Sequence, residues 1–221
     1  MNETAPIRIL LVDDHEVVRR GLRALLETHP GWVVCGEAAD GRTAVSLARS
    51  LAPRVVVMDL TMPELNGLEA TRQILDKDRD VQVLILSMHE SDQVVREVLA
   101  VGARGYVLKT DAGRDLIAAV EALLRGKPFF TSRVAANIHE LEFKARGGGR
   151  RIFKPIGQLT AREREVLQLL AEGKTNKEVG HLLGISVKTA ETHRARVMRK
   201  LSIDSVADLV RYAIRNGFIA A

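Results

Sequence analysis

The sequence predicts a doubly wound, five-stranded parallel α/β sheet followed by a small all-α domain of four helices. Three observations carry this. Short β-branched runs alternate strictly with helix-period stretches up to residue 125, strand-like runs are absent from residue 159 onward, and the charge changes sign between the two parts.

The strand runs are Ile7–Val12, Trp32–Ala38, Val55–Asp59, residues 81–87 and Gly105–Leu108, separated by helical segments such as 16–27 and 65–77. Near-continuous apolar strands belong to a parallel sheet covered on both faces, and right-handed crossovers then limit the topology. The expected strand order is 2-1-3-4-5. After Leu124 the Arg125-Gly126-Lys127-Pro128 stretch stops a helix, and a short helix is expected over residues 132–144. Gly147-Gly148-Gly149, Arg150-Arg151, Lys154-Pro155 and Gly157 then combine flexibility with charge, as a linker does. The expected division is residues 1–126, a linker of 127–156 and a helical domain of 157–221. Gly173-Lys174, Gly184-Ile185-Ser186 and Ser202-Ile203-Asp204 separate the four helices of that domain.

Residues 1–125 hold 15 Lys/Arg against 19 Asp/Glu, and residues 126–221 hold 18 against 9. An acidic front half joined to a basic back half points to two domains with different partners, the second a nucleic acid. A hydrophobic content of 46% excludes wholesale disorder, and one cysteine excludes a disulfide framework. Cys35, in an apolar stretch, reads as a core residue in a reducing compartment. No run approaches the ~18 apolar residues of a membrane span, and Met1-Asn2-Glu3-Thr4 lacks the basic flank of a signal peptide. A cytoplasmic protein without a membrane partner is expected.

The chemistry sits at strand ends. The first strand ends in Asp13-Asp14 and the third in Asp59, on the sheet edge where open α/β folds bind ligands. Three carboxylates there call for a cation, and their hard oxygens suit Mg²⁺. The fourth strand ends in the hydroxyl of Ser87 and the fifth in Leu108-Lys109. Metal and ammonium neutralise charge, the hydroxyl donates a hydrogen bond and one Asp serves as nucleophile, which together make a phosphoryl site. Simple capping of the following helix is the structural alternative for Asp13 and Asp14.

Ile9-Leu10-Leu11-Val12-Asp13-Asp14-His15, Met58-Asp59-Leu60-Thr61-Met62-Pro63-Glu64-Leu65-Asn66-Gly67, Ser87, Tyr106 and Lys109 together resemble the flavodoxin-like receiver domain of two-component response regulators. The resemblance implies that Asp59 accepts a phosphoryl group from a sensor histidine kinase. It also implies that Asp13, Asp14, Asp59 and the Thr61 carbonyl hold Mg²⁺, that Lys109 contacts the phosphate, and that Ser87 and Tyr106 form a switch pair. Two departures stand out: Ser87 replaces a common Thr, and Thr110 follows Lys109 where many receivers have proline. His89 reads as an exposed loop residue with a possible influence on dephosphorylation.

In the basic half, residues 186–201 placed on a wheel of about 100° per residue separate into two faces. Ala190, Val197, Met198 and Leu201 join Val187 on an apolar arc, while Lys188, Thr189, Thr192, His193, Arg196, Arg199 and Lys200 share an arc without a carboxylate. Arg194 intrudes on the apolar arc and is expected to pair with Glu163 or Glu165. Residues 175–183 form the preceding helix, so helix, Gly-containing turn and helix follow one another as a helix-turn-helix.

Leu159-Thr160-Ala161-Arg162-Glu163-Arg164-Glu165-Val166-Leu167, Gly173-Lys174-Thr175-Asn176-Lys177-Glu178-Val179 and Ile185-Ser186-Val187-Lys188-Thr189-Ala190-Glu191-Thr192-His193 resemble the LuxR-type DNA-binding domain. By that resemblance the helix from Val187 enters the major groove of double-stranded DNA. Lys188, Thr192 and Arg196 face bases, while Thr189, His193, Arg199 and Lys200 meet phosphates. Thr175, Asn176 and Lys177 anchor phosphate at the preceding helix N-terminus. The last helix, residues 205–216, carries an apolar stripe that is either core or, at Val206 and Val210, a homodimer contact.

The whole resembles a transcription factor of the NarL/FixJ type, not a turnover enzyme. Two rivals remain open at this point. One is a Mg²⁺-dependent phosphohydrolase, for which residue 61 is Thr where a general acid is wanted. The other is a regulator whose receiver is ornamental.

Overall fold

The structure, a computed structural model, describes residues 5–89, 91–131, 135 and 159–219. Of the linker expected at 127–156, residues 127–131 and 135 are described; the others, and with them all but one residue of the helix expected at 132–144, lie outside the described residues. The first domain runs β1 (Ile7–Val12), α1 (Glu16–Leu26), β2 (Trp32–Ala38), α2 (Gly41–Leu51), β3 (Val55–Asp59), α3 (Gly67–Leu75), β4 (Gln82–Ser87), α4 (Asp92–Ala100), β5 (Gly105–Leu108), a 3₁₀ turn (Lys109–Asp111), α5 (Ala112–Leu124) and β6 (Phe129–Phe130). All strand pairings are parallel, in the order β2-β1-β3-β4-β5-β6.

The expected order therefore holds for the first five strands, and a sixth is added. The sequence reading places Phe129 and Phe130 in the linker, because two residues after Pro128 are too short a run to register as a strand. Tyr106 pairs with Phe130 and Gly105 with Phe129, and these two aromatic residues rest half-buried against the flanks of the core. Aromatic side chains on a short edge strand gain from burial what two residues cannot gain from backbone pairing alone.

Alternation along each strand divides the core. Leu10, Val12, Val56, Met58, Val83 and Ile85 face α2, α3 and α4, whereas Ile9, Leu11, Val55, Val57, Leu84 and Leu86 face α1 and α5. Each such side chain contributes roughly 1.5–3 kcal/mol when fully buried. This accounts for the continuous apolar runs in the sequence, since both faces are covered.

The loop from Leu60 to Asn66 is tightly closed. Leu60 N–H donates to Leu86 O, Gly67 N–H donates back to Leu60 O at 2.8 Å, and the Asn66 side chain caps α3 by accepting from Glu69 N–H. A Cβ on Gly67 would lie 1.9 Å from the Asp59 carbonyl oxygen. Gly67→Ala is therefore expected to lose about 2–3 kcal/mol of stability in urea unfolding. A loss below about 0.5 kcal/mol would contradict this close approach.

The second domain comprises α6 (Ala161–Ala171), α7 (Asn176–Leu183), α8 (Val187–Leu201) and α9 (Val206–Arg215) around its own core of Val166, Leu167, Leu169, Val179, Ala190, Val197, Leu209 and Ala213. Thr160 with Glu163 and Thr175 with Glu178 form reciprocal capping boxes on α6 and α7. Gly184, at φ +62°, ends α7 in the left-handed conformation, and Ser186 caps α8 by accepting from Thr189 N–H. The turn that sets α8 against α7 is thus built from local signals legible in the sequence.

The domains are in contact through polar groups. Arg164 Nε donates to Glu69 Oε2 at 3.0 Å, Gln73 Nε2 to Glu165 Oε1 at 3.3 Å, and Arg42 lies 3.6 Å from Glu165. Gln168 of α6 and Glu172, its C-cap residue, meet the backbone of the loop between β3 and α3. At the far end of α9, Gly217 and Phe218 share a small crevice with Leu60, Leu68 and Val94.

Candidate functional site

The strand register assembles the carboxylate cluster. Val12 pairs with Met58, so Asp13 emerges beside Asp59, and Ser87 pairs with Leu108, so Lys109 emerges beside Ser87. Lys109 Nζ lies 2.7 Å from Asp13 Oδ2 and 2.8 Å from Asp59 Oδ2. Asp13 is 0% exposed and Asp59 3%, whereas Asp14 is exposed and pairs with His15 Nδ1 at 2.8 Å. The carboxylates do not cap α1: its N-cap is His15, without a side-chain cap bond. Asp13 Oδ1 instead accepts from His15 N–H at 2.9 Å.

Burial raises the Asp59 carboxyl from its ordinary 3.8 to about 6, against the pull of the Lys109 ammonium. Lys109 in turn is raised by Asp59 and Asp13, outweighing its own desolvation. The folded value of Asp59 exceeds the unfolded one. Its contribution to stability is therefore fully present below pH 3.8 and is lost as pH rises through about 6. A carboxyl-carbon NMR titration of metal-free protein is expected to place the Asp59 midpoint near 6; a midpoint in the ordinary carboxylate range would contradict the burial.

The cluster fits a hard divalent cation. Asp13, Asp14 and Asp59 offer carboxylate oxygens mutually within 4.8 Å, and His15 stands in the same group. Asp13 Oδ2 is buried without an aligned hydrogen-bond donor, although the Lys109 ammonium sits against it as an ion pair. Thr61 follows in the loop, its N–H 3.4 Å from Asp59 Oδ1.

Ser87 is buried, and its hydroxyl oxygen accepts from His89 N–H at 3.0 Å. Tyr106 is 0% exposed, turned inward, and donates its hydroxyl to His89 O at 2.6 Å. His89 is half-buried rather than exposed as expected, and its Nε2 lies 3.4 Å from Thr61 Oγ1. Burial pushes its pKa down, which favours the neutral ring. It thereby joins Ser87, Tyr106 and Thr61, a role that only its position two residues beyond Ser87 hinted at. Cys35 is half-buried, not core, and desolvation raises its thiol pKa, away from the range of a reactive thiolate.

On α8 the polar arc faces solvent. Lys188, Thr189, Thr192, Arg196 and Arg199 are exposed, and His193 is half-buried. Thr175 and Lys177 are exposed at the start of α7, with Asn176 half-buried. Lys200 differs from the others, since its ammonium reaches back to Glu163 Oε2 at 2.7 Å. Glu165 takes Arg162 at 3.0 Å, so neither acid is the partner expected for Arg194. The reason is geometric: the last turn of α8, not its middle, lies over the N-terminus of α6. Val206 is 47% exposed, whereas Val210 packs partly on the domain core. Among the described residues no helix is long and apolar enough to cross a membrane.

Residues 9–121 match the family described as response regulator receiver domain, and residues 157–213 match the bacterial regulatory proteins of the luxR family. The transcriptional regulatory protein LiaR of Bacillus subtilis is 41% identical over 96% of this chain and 99% of its own length. Response regulator UvrY of Escherichia coli is 34% identical over 97% of each chain. Among solved structures, RcsB of Salmonella enterica serovar Typhimurium bound to promoter DNA with a beryllofluoride phosphomimetic is 27% identical. It covers 93% of this chain and 97% of its own, with a TM-score of 0.62. A LuxR-family response regulator from Aurantimonas is 41% identical with a TM-score of 0.60, over 62% of this chain and 99% of that one. With the strand-end cluster and the exposed cationic helix in one chain, the protein belongs to the two-component response regulators that join a receiver to a LuxR-type DNA-binding domain.

Proposed function

We propose that Asp59 is the phosphoacceptor of a cytoplasmic signalling protein and that its phosphorylation by a sensor histidine kinase controls dimerisation and DNA binding. The receiver spans residues 1–126 and the DNA-binding domain residues 157–221, joined by 127–156. The observation that carries the reading is the buried Asp13–Lys109–Asp59 arrangement at adjoining strand ends. In the transfer, a carboxylate oxygen of Asp59 attacks the phosphorus of phosphohistidine. The P–N bond breaks, its electrons return to the imidazole, and an acyl phosphate remains.

Asp13, Asp14, Asp59 and the Thr61 carbonyl would hold Mg²⁺, which when bound supplies neutralisation of the phosphoryl charge. Lys109 already contacts Asp59, and its ammonium is placed to follow the charge onto the phosphoryl oxygens. Ser87 Oγ accepts from His89 N–H, so its own proton stays available for donation to a phosphoryl oxygen. A shift of that hydroxyl moves the His89 backbone, whose carbonyl holds Tyr106. The proposed switch pair is thus connected through one residue.

Lys188, Thr192 and Arg196 read bases and Thr189, His193, Arg199, Thr175, Asn176 and Lys177 meet phosphates, with Val206 and Val210 at a two-fold contact. Support comes from the exposure of that arc and from RcsB, solved on promoter DNA with a phosphomimetic. Lys200 is retained as a phosphate contact that must first leave Glu163.

Intact mass after incubation with acetyl phosphate and Mg²⁺ tests the reading. The expected result is a gain of one phosphoryl group that disappears without metal, and no steady turnover of phosphate esters. No gain from either acetyl phosphate or a phosphohistidine donor would overturn it.

A further inference from the structure

His15 occupies the last position before α1, where Ser, Thr, Asp or Asn ordinarily caps a helix, yet its side chain makes no cap bond. The ring turns to the carboxylates instead. Its Nδ1 lies 2.8 Å from Asp14 Oδ1 and 3.4 Å from Asp13 Oδ1, and the His15 N–H donates to that same Asp13 oxygen at 2.9 Å. Side chain and main chain of one residue are thus both fastened to the phosphoacceptor cluster. Asp13 is wholly buried whereas the His15 side chain is 68% exposed, so the imidazole borders the cluster on its solvent side.

Charge and spacing both suit a cation between these groups. The Lys109 ammonium lies against Asp59 and against Asp13 Oδ2, while the imidazole lies against Asp13 Oδ1, so the two occupy different oxygens. Three ionised carboxylates and one ammonium leave two negative charges, the complement of a divalent ion. Groups that share one ion through bonds of about 2.1 Å stand about 3.0–3.4 Å apart at neighbouring corners. The two Nδ1 distances straddle that spacing, and ligand atoms of Asp13, Asp14, His15 and Asp59 all lie within 4.8 Å of one another. In the metal-free protein Nδ1–H serves Asp14. Moving the ring proton to Nε2, which water can serve on so exposed a ring, frees the Nδ1 lone pair without changing the charge. An imidazole nitrogen suits first-row transition ions and adds little to Mg²⁺, which prefers oxygen.

We propose that His15 is a metal ligand through Nδ1 and that it makes the phosphoacceptor site bind a cation of the Co²⁺, Ni²⁺ or Zn²⁺ class more tightly than Mg²⁺. Asp13, Asp14 and Asp59 serve either kind of ion, and the nitrogen is the group that tells them apart. Loading of the site then follows the supply of transition ions as well as that of Mg²⁺. The inference rests on the proposed metal site and adds to it one ligand and a preference.

The test titrates the untagged full chain with Mg²⁺ and with Co²⁺ separately by calorimetry and records the proton NMR spectrum of the Co²⁺ form. His15→Phe keeps a ring and removes its nitrogens, and α1 loses no side-chain cap bond by it. Wild type is expected to bind Co²⁺ more tightly than Mg²⁺ and to show a hyperfine-shifted, exchangeable imidazole N–H signal. In His15→Phe that signal disappears, Co²⁺ affinity falls about tenfold or more, and Mg²⁺ affinity stays within about twofold. A ring that only orients Asp14 would move both affinities by the same factor. An equal shift, an unchanged Co²⁺ affinity, wild-type Co²⁺ binding no tighter than Mg²⁺, or no imidazole signal in wild type overturns the inference, while Mg²⁺ binding leaves the carboxylate site standing. Failure of wild type to bind either ion overturns the metal-site reading, and the inference with it.

Discussion

Asp59→Asn is expected to abolish phosphoryl uptake completely and, at the same time, to make the metal-free protein more stable at pH 7. The two effects have one origin. Asp59 is buried beside another carboxylate, and its pKa near 6 means that the charged form is disfavoured relative to the unfolded chain. A carboxyl held at about 6 in place of 3.8 corresponds to about 3 kcal/mol at neutral pH. An amide removes the charge but keeps the shape, at the expense of leaving Lys109 with Asp13 alone, so the expected gain is about 1–3 kcal/mol in denaturant unfolding. The gain should vanish near pH 4, where the wild-type carboxyl is itself protonated. A variant that still takes up phosphate at wild-type level would move the acceptor elsewhere. A variant destabilised at pH 7 would show that the ion pair with Lys109 outweighs desolvation.

The second large effect concerns α8. Arg196→Ala and Lys188→Ala are each expected to weaken binding to the cognate operator by about 1–3 kcal/mol and to relax discrimination among operator variants. Arg199→Ala is expected to weaken all sequences alike and to reduce the salt slope by about one. Titrations against cognate and scrambled duplexes at several salt concentrations separate these outcomes. If Arg199 governed discrimination and Arg196 did not, the helix would sit in the groove by another face. Lys200→Ala should show up first in stability, because its ammonium is bound to the buried Glu163.

The fold was legible because its signals are local or periodic. Alternating runs such as Val55–Asp59 declare a strand buried on both faces, and the capping residues Thr175 and Ser186 with Gly184 declare a turn between helices. The carboxylates, Ser87 and Lys109 were legible because each ends a strand, and a parallel sheet gathers such ends on one edge. What escaped was tertiary. Phe129 and Phe130 form a strand only because β5 is there to receive them. Nothing in the spacing of Gln168 or Glu172 marks either for the backbone of a loop about a hundred residues earlier. The pairing of Lys200 with Glu163, in place of Arg194, likewise depends on how α8 crosses α6, which a helical wheel does not encode.

The contacts between the domains divide by what they recognise. Gln168 and Glu172 address main-chain atoms, which any receiver loop of the same shape presents whatever its side chains. Arg164 with Glu69, the looser Gln73 and Arg42 contacts to Glu165, and the crevice that Phe218 shares with Leu60, Leu68 and Val94 depend on residue identity. A chimera that grafts this DNA-binding domain onto a foreign receiver would therefore still be able to close. Its fidelity would rest on whether the new partner carries an acid at the position of Glu69 and apolar residues at those of Leu60, Leu68 and Val94, so that compatibility between modules is decided by a handful of side chains.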